Sequence, residues 1–249
     1  MGYLDDIKNL GYKAEVAQQF PRVWFHNGIK AATTHGEWYT SERELNGLTT
    51  ARPWVAKEKF DGEAGYVAST FRFAPIMTRS QAFMTNDAQE TIWLSKYTKG
   101  ARIYTEYLCF VESITTQAGD YVPVVFATKG LVGKAVANNI KDFRKASTKV
   151  DLNAMPPWAF FIPMAAPVND KGRPVYTDTG RGAFVTLPTL PLPDTFDTEA
   201  YYVGPDILAQ GDEFYKANRE WAKQQRGNEP REANATDLET PEDDTPLAF

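Results

Sequence analysis

Residues 101–147 read ARIYTEYLCFVESITTQAGDYVPVVFATKGLVGKAVANNIKDFRKAS, and the hydrophobic period changes inside them. Over 101–112 β-prone residues alternate, with Ile103, Thr105, Tyr107, Cys109 and Val111 on one face and Arg102, Tyr104, Glu106, Leu108, Phe110 and Glu112 on the other. This predicts a long strand. A second strand is predicted over 121–127. From Lys129 onward Val132, Val136, Ile140 and Phe143 recur at helical spacing, which predicts an amphipathic helix over 130–146. Lys134, Lys141 and Lys145 fall on its opposite, solvent-facing side.

Working outward, a strand is predicted over 64–73 before this stretch, and two more over 157–165 and 173–187 after it. Three strands, a helix and two strands is the element order of an OB-fold, a five-stranded Greek-key barrel that often binds oligonucleotides. The predicted class is therefore mainly β with minor α: an OB-fold-like five-stranded barrel with one inserted amphipathic helix. VWFH, Asn27-Gly28 and GEWYT read as an N-terminal hairpin added to that barrel, and WVAKEKF as a further strand. Residues 205–225 read as a C-terminal helix opened by Pro205. The expected division is a body over 1–226 and a disordered acidic tail over 227–249.

The 249-residue chain is 43% hydrophobic and holds 16 prolines and 17 glycines, which suits a turn-rich β protein rather than a helical bundle. The single Cys109 excludes an internal disulfide framework and fits a reducing cytoplasm. The first residues carry no apolar stretch of the signal-peptide kind, and no run is long enough to span a membrane. Of the net charge of -5, residues 227–249 account for -6, leaving the body near +1. A nearly neutral body excludes a histone-like binder and allows a local basic groove.

The tail holds seven acidic residues and Pro230, Pro241 and Pro246, too little apolar surface to fold. It closes on DDTPLAF, residues 243–249, where Leu247 and Phe249 add nothing to solubility. An aromatic ring beside acidic residues suits capture by an apolar pocket with a basic rim. This ending resembles the C-terminal tip of bacterial and bacteriophage single-stranded DNA-binding proteins, with Leu-Ala inserted before the last Phe. The resemblance implies a divergent phage or mobile-element protein of DNA replication and recombination in the bacterial host cytoplasm. It implies that Asp243, Asp244, Pro246, Leu247 and Phe249 recruit replication and recombination proteins and that the tip competes with DNA for the protein's own basic groove. It leaves self-association into a homo-oligomer open.

Binding single strands needs a positive track for phosphates and aromatic faces for bases. The expected DNA-binding set is Trp54, Lys57, Lys59, Tyr66, Arg72, Trp93, Lys96, Arg102, Tyr104, Lys134, Lys141 and Lys145. Val67, Phe71 and Phe73 are expected in the core, as are Phe126, Trp158, Phe160 and Phe161.

Two readings compete. EKFDGE, residues 58–63, resembles the Lys-x-Asp-Gly motif of nucleotidyltransferases such as DNA ligases, in which Lys59 would take AMP and Glu106 would belong to a later motif. The later lysine motif of that family has no counterpart here, and Asp61-Gly62 also suits a hairpin turn. The other reading is a protein–protein adaptor that binds no nucleic acid. The sequence holds no Walker loop, no nucleophile elbow and no short Cys/His ligand spacing around His26 and His35. The expectation is a non-catalytic protein without metal or cofactor.

Overall fold

The computed structural model describes residues 20–58, 64–147, 151–180 and 182–223. Nine strands form one mixed sheet: β1 (Arg22–His26), β2 (Glu37–Ser41), β3 (Val55–Glu58), β4 (Ala64–Ala68), β5 (Thr70–Thr85), β6 (Thr91–Leu94), β7 (Arg102–Val111), β8 (Val124–Lys129) and β9 (Ile162–Ala165). Their order is β9-β5-β7-β8-β1-β2-β4-β3, and β6 pairs with the far half of β5. The β1–β8 pair is parallel and the others are antiparallel. The chain is mainly β, as predicted, and the sheet is open in its hydrogen bonding.

The sheet is nevertheless rolled. β4 lies five places from β5, roughly 24 Å in a flat sheet. Yet Ser69 alone separates Ala68 from Thr70, a span of under about 8 Å. Both conditions hold only if the sheet curls round on itself.

The inside of the roll is the first core. Val23, Phe25, Trp38, Phe71, Phe73, Tyr107, Cys109 and Phe126 meet there from β1, β2, β5, β7 and β8. Phe71 sits at its centre. Its ring centroid lies 5.4 Å from Trp38, 5.0 Å from Phe126 and 5.4 Å from Phe73. The predicted helix forms as α2 (Gly130–Ala146), following a single turn, α1 (Glu42–Leu45), and packs Val132, Val136 and Phe143 into this core.

A second core lies on the outer face of β5, β7 and β8. Ala74, Met77, Phe83, Leu108, Phe110 and Val125 are covered there by Trp158, Phe161, Val203 and Trp221. The covering segment includes α3 (Pro205–Ala217). Gly211 lets α3 approach Trp158, since a Cβ there would lie 2.3 Å from the indole ring. The indole Nε1–H donates to the Leu208 carbonyl at 3.1 Å.

Several expectations need correction. The N-terminal hairpin is no addition; β1 and β2 occupy the middle of the sheet, beside β8. Of the strand predicted over 173–187, only the pair Thr177–Asp178 and Phe184–Val185 forms, outside the main sheet. Residues 157–159 are a 3-10 turn leading into β9. The strand predicted over 64–73 is two strands whose side-chain parity resets around Ser69. Ala68 and Phe71 both face the first core, half-buried Tyr66 packs against it, and Val67 is not buried. Phe126, Trp158, Phe160 and Phe161 are buried as expected. Residues 227–249 lie outside the described residues. Among the described residues no helix is long and apolar enough to cross a membrane.

Phe71→Ala is expected to cost about 3–5 kcal/mol of unfolding free energy in urea titration, because it empties the point where three strands meet. A loss below about 1 kcal/mol would show that the core is not organised around this ring.

Candidate nucleic-acid interface

The structure gathers part of the predicted set at the far end of β5, β6 and β7. Phe83 is opposite Arg102 on one side and Trp93 on the other, while Tyr104 is opposite Gln81 and Lys129. The Trp93 centroid is 5.5 Å from Tyr104 and 5.7 Å from Phe83. Beside this aromatic group lies a cleft of about 310 Å³, lined by Arg79, Gln81, Lys96, Tyr97, Tyr104 and Lys223 among others. Tyr97 is 39% exposed. Lys96, Lys99 and Lys129 are exposed, and Arg102 and Trp93 half-buried.

The floor of this end is held by a buried carboxylate. Glu106 on β7 accepts from Arg79 Nε at 2.6 Å and lies 3.7 Å from Arg22. The Arg79 guanidinium also stacks on Trp221 at 4.2 Å and donates to its carbonyl at 3.3 Å. One arginine thus ties the last described turn of the chain to the sheet. Glu106 serves as a structural counter-ion here. Lys59, Asp61 and Gly62 of that motif lie outside the described residues.

The second group is α2. Lys134, Lys141 and Lys145 are exposed along it, as predicted from the period. Arg144 lines a second hollow of about 340 Å³ between α2 and β5, together with Ile76, Met77, Thr78 and Tyr107. The two hollows are neighbours. The second takes Pro75–Thr78 from β5 and the first takes Arg79–Ala82. On the side of β5 away from β7, β9 reaches Phe73 and β6 begins at Ala82, so among the described residues no strand pairs with Ala74–Gln81 there. Thr78 and Ser80 are exposed along this stretch. The two hollows thus follow one another along the open part of β5, one beside α2 and the other beside Lys96 and Tyr97.

Other expected residues stand elsewhere. Trp54 is buried: it packs edge-on to Phe71 at 6.3 Å and donates from Nε1 to Ser113 Oγ at 2.9 Å, so it offers no face to a base. Lys57 is paired with Glu37 at 2.5 Å on the opposite side of the sheet. Tyr66 is half-buried against the first core. Arg72 is engaged within the fold, pairing with Glu112 at 2.7 Å, donating to the Ala200 carbonyl at 3.0 Å and stacking on Tyr201 at 5.4 Å. Tyr104 was expected on an outward face and is buried, because the second core covers that face. Lys59 and residues 243–249 lie outside the described residues.

Arg79, Tyr97, Arg144 and Lys223 were not in the expected set. Tyr97 follows Trp93 and Lys96 in one short segment and could have been found from that clustering. Arg79 joins the site only through a strand extension beyond residue 73. Among the described residues no group of three or more His, Cys, Asp or Glu is placed to hold a metal ion. No family model matches the chain, and neither a curated protein nor a solved structure matches it.

Burial pushes the Tyr107 phenol up to about 12 and drives the Cys109 thiol upward as well. For Tyr121 burial acts first and the Glu112 carboxylate second, again upward. An acid whose folded pKa is raised supports the fold fully below its unfolded pKa, and that support is lost as pH rises through the folded value. Stability should therefore fall from about pH 9 for Cys109 and from about pH 10 to 12 for Tyr107. Tyr107→Phe should remove the upper part of this alkaline loss, roughly 2–3 kcal/mol at full ionisation. Urea titrations at stepped pH measure it; an unchanged alkaline slope in Tyr107→Phe would mean that the phenol is not buried in the fold.

Arg79→Leu is expected to cost about 3 kcal/mol, because it takes the nearest cation from a buried carboxylate and releases Trp221. A red-shifted tryptophan emission should accompany the loss. Wild-type stability with unchanged emission would show that this network does not anchor the C-terminal turn.

Proposed function

We propose that the chain is a non-catalytic single-stranded DNA-binding protein of replication or recombination, working in the cytoplasm of a bacterial host. The observation that carries this reading is the pair of hollows along the open stretch of β5, which we read as one groove for a strand. Arg144 lines one hollow and Lys96 and Tyr97 the other, with exposed Lys141 and Lys145 on α2 and half-buried Arg102 and Trp93 on the neighbouring strands. Cations that follow a backbone and rings that accept any base are the two requirements for binding single strands without strong sequence preference. Its acidic neighbour Glu106 is neutralised by Arg79, so the groove keeps a positive balance.

We read the rolled sheet as a divergent, partly open five-stranded barrel of the OB type. Strands β5, β7 and β8 followed by α2 supply the predicted first half. The other two strands are β1 and β2, which precede that half in the chain. The continuous run of β4 and β5 serves both sides of the roll, pairing with β2 and then with β7.

Residues 227–249 complete the proposal. The last described residue, Lys223, lies on the wall of the cleft, and the sequence after it is acidic. Asp243, Asp244, Pro246, Leu247 and Phe249 would then engage partner proteins when DNA displaces them.

Fluorescence anisotropy with labelled oligo-dT and a matching duplex, across a salt series, tests this reading. The full chain should prefer the single strand, with affinity falling as salt rises. Lys96→Ala and Lys141→Ala should each flatten the slope of log K against log salt by about 0.7. Neutralising the seven acids of 227–249 should strengthen binding at low salt. No binding to oligo-dT at low salt would overturn the proposal; unchanged affinity after tail neutralisation would remove the competition alone.

A further inference from the structure

The hollow between α2 and β5 is more than a widening of the groove. Its walls are apolar, built from Ile76 and Met77 of β5, Ala137 and Ile140 of α2, and Pro157. Thr78, Tyr107 and Arg144 supply the polar groups. Tyr107 is 4% exposed, and among the described residues its hydroxyl has no hydrogen-bond partner. Among the described residues half-buried Arg144 makes no ion pair. A phenol and a guanidinium lining one apolar hollow suit a ligand that brings both an acceptor and a negative charge.

The volume, about 340 Å³, is at the small end of ligand sites and suits one ring with its attached group. A purely apolar occupant, such as an aliphatic side chain, would leave the Tyr107 hydroxyl unsatisfied. A pyrimidine presents apolar faces to Ile76, Met77 and Ile140 and carbonyl oxygens to the Tyr107 and Thr78 hydroxyls. The charge extends beyond Arg144: Lys141 and Lys145 lie one helical turn apart on the adjoining side of α2, and Lys134 continues the line. A row of cations beside a single-ring pocket fits a phosphodiester better than an isolated carboxylate.

We infer that this pocket holds one unstacked pyrimidine of a bound strand, with the Tyr107 hydroxyl donating to a base carbonyl and Arg144 donating to that nucleotide's phosphate. The inference rests on the single-strand reading and adds a defined subsite to it: one base is taken out of the stack while its neighbours lie along β5.

The test uses the full chain and thymidine 5′-monophosphate, observed by saturation-transfer NMR, beside oligo-dT anisotropy. Thymidine and ribose 5-phosphate, each with half of the recognised chemistry, should bind at least about tenfold more weakly than the nucleotide. Ala137→Trp fills the pocket from an exposed position on α2, where the fold does not depend on the side chain. It should abolish nucleotide binding and weaken oligo-dT by about tenfold while leaving salt-dependent binding in place. Arg144→Gln should lose the preference for the nucleotide over the nucleoside. Nucleotide binding that survives both changes, or is absent while oligo-dT binds, overturns the pocket and leaves the single-strand reading standing. Nucleotide binding lost in Ala137→Trp, with no oligo-dT binding by the wild type, supports the pocket and overturns that reading. Absence of both overturns both.

Discussion

A single residue, Ser69, joins two strands that the hydrogen-bond order places five positions apart. Covalent continuity therefore bends the whole sheet, and most other features follow from that bend. It creates an inside, which Trp38, Phe71, Phe73 and Phe126 fill, and an outside, which must be covered wherever it is apolar. It also leaves β5 longer than its neighbours. β5 is 16 residues long, and β9 and β6 reach only its two ends on one side. The open middle of β5 is the line along which the two hollows form.

Two shifts of side-chain parity make this possible. The first lies around Ser69 and keeps both halves of the bent run facing the first core. The second lies between Pro75 and Met77, where the pairing with β7 changes register. After it, Arg79, Gln81 and Phe83 face the outer core side, and Thr78, Ser80 and Ala82 share a side with Tyr107 and Thr105. Such irregularities bend a strand and re-aim its side chains. Here they bring Arg79 onto Glu106 and Trp221, and place Thr78 at the mouth of the α2 hollow.

The parts of the fold legible in the sequence are those with a period of their own. Strand β7 and helix α2 appear almost as predicted, because alternation and the three-four spacing of Val132, Val136, Ile140 and Phe143 are local signals. Non-local pairings leave no such trace. Nothing near Arg22–His26 announces that it lies parallel to Val124–Lys129, a hundred residues away. The second core was hidden for a related reason: Tyr104 reads as an outward residue of a strand, and only the return of Trp221 and its neighbours buries that face. The candidate site was half legible. The α2 lysines and the Trp93–Lys96–Arg102 group were visible as local mixtures of cation and ring. Trp54, Tyr66 and Arg72 carried the same local mixture and are occupied by packing and ion pairs. Arg79 and Tyr107 gain their meaning only from partners brought by the roll.

The most direct test of the account is a hydrogen–deuterium exchange footprint of the full chain with and without saturating oligo-dT. The account predicts new protection along residues 76–82, 94–104 and 134–145, which border the groove, with little change on β1, β2, β3 and β4. Protection centred on β2, β3 and β4, or none anywhere at saturation, would contradict a strand lying along the open stretch of β5.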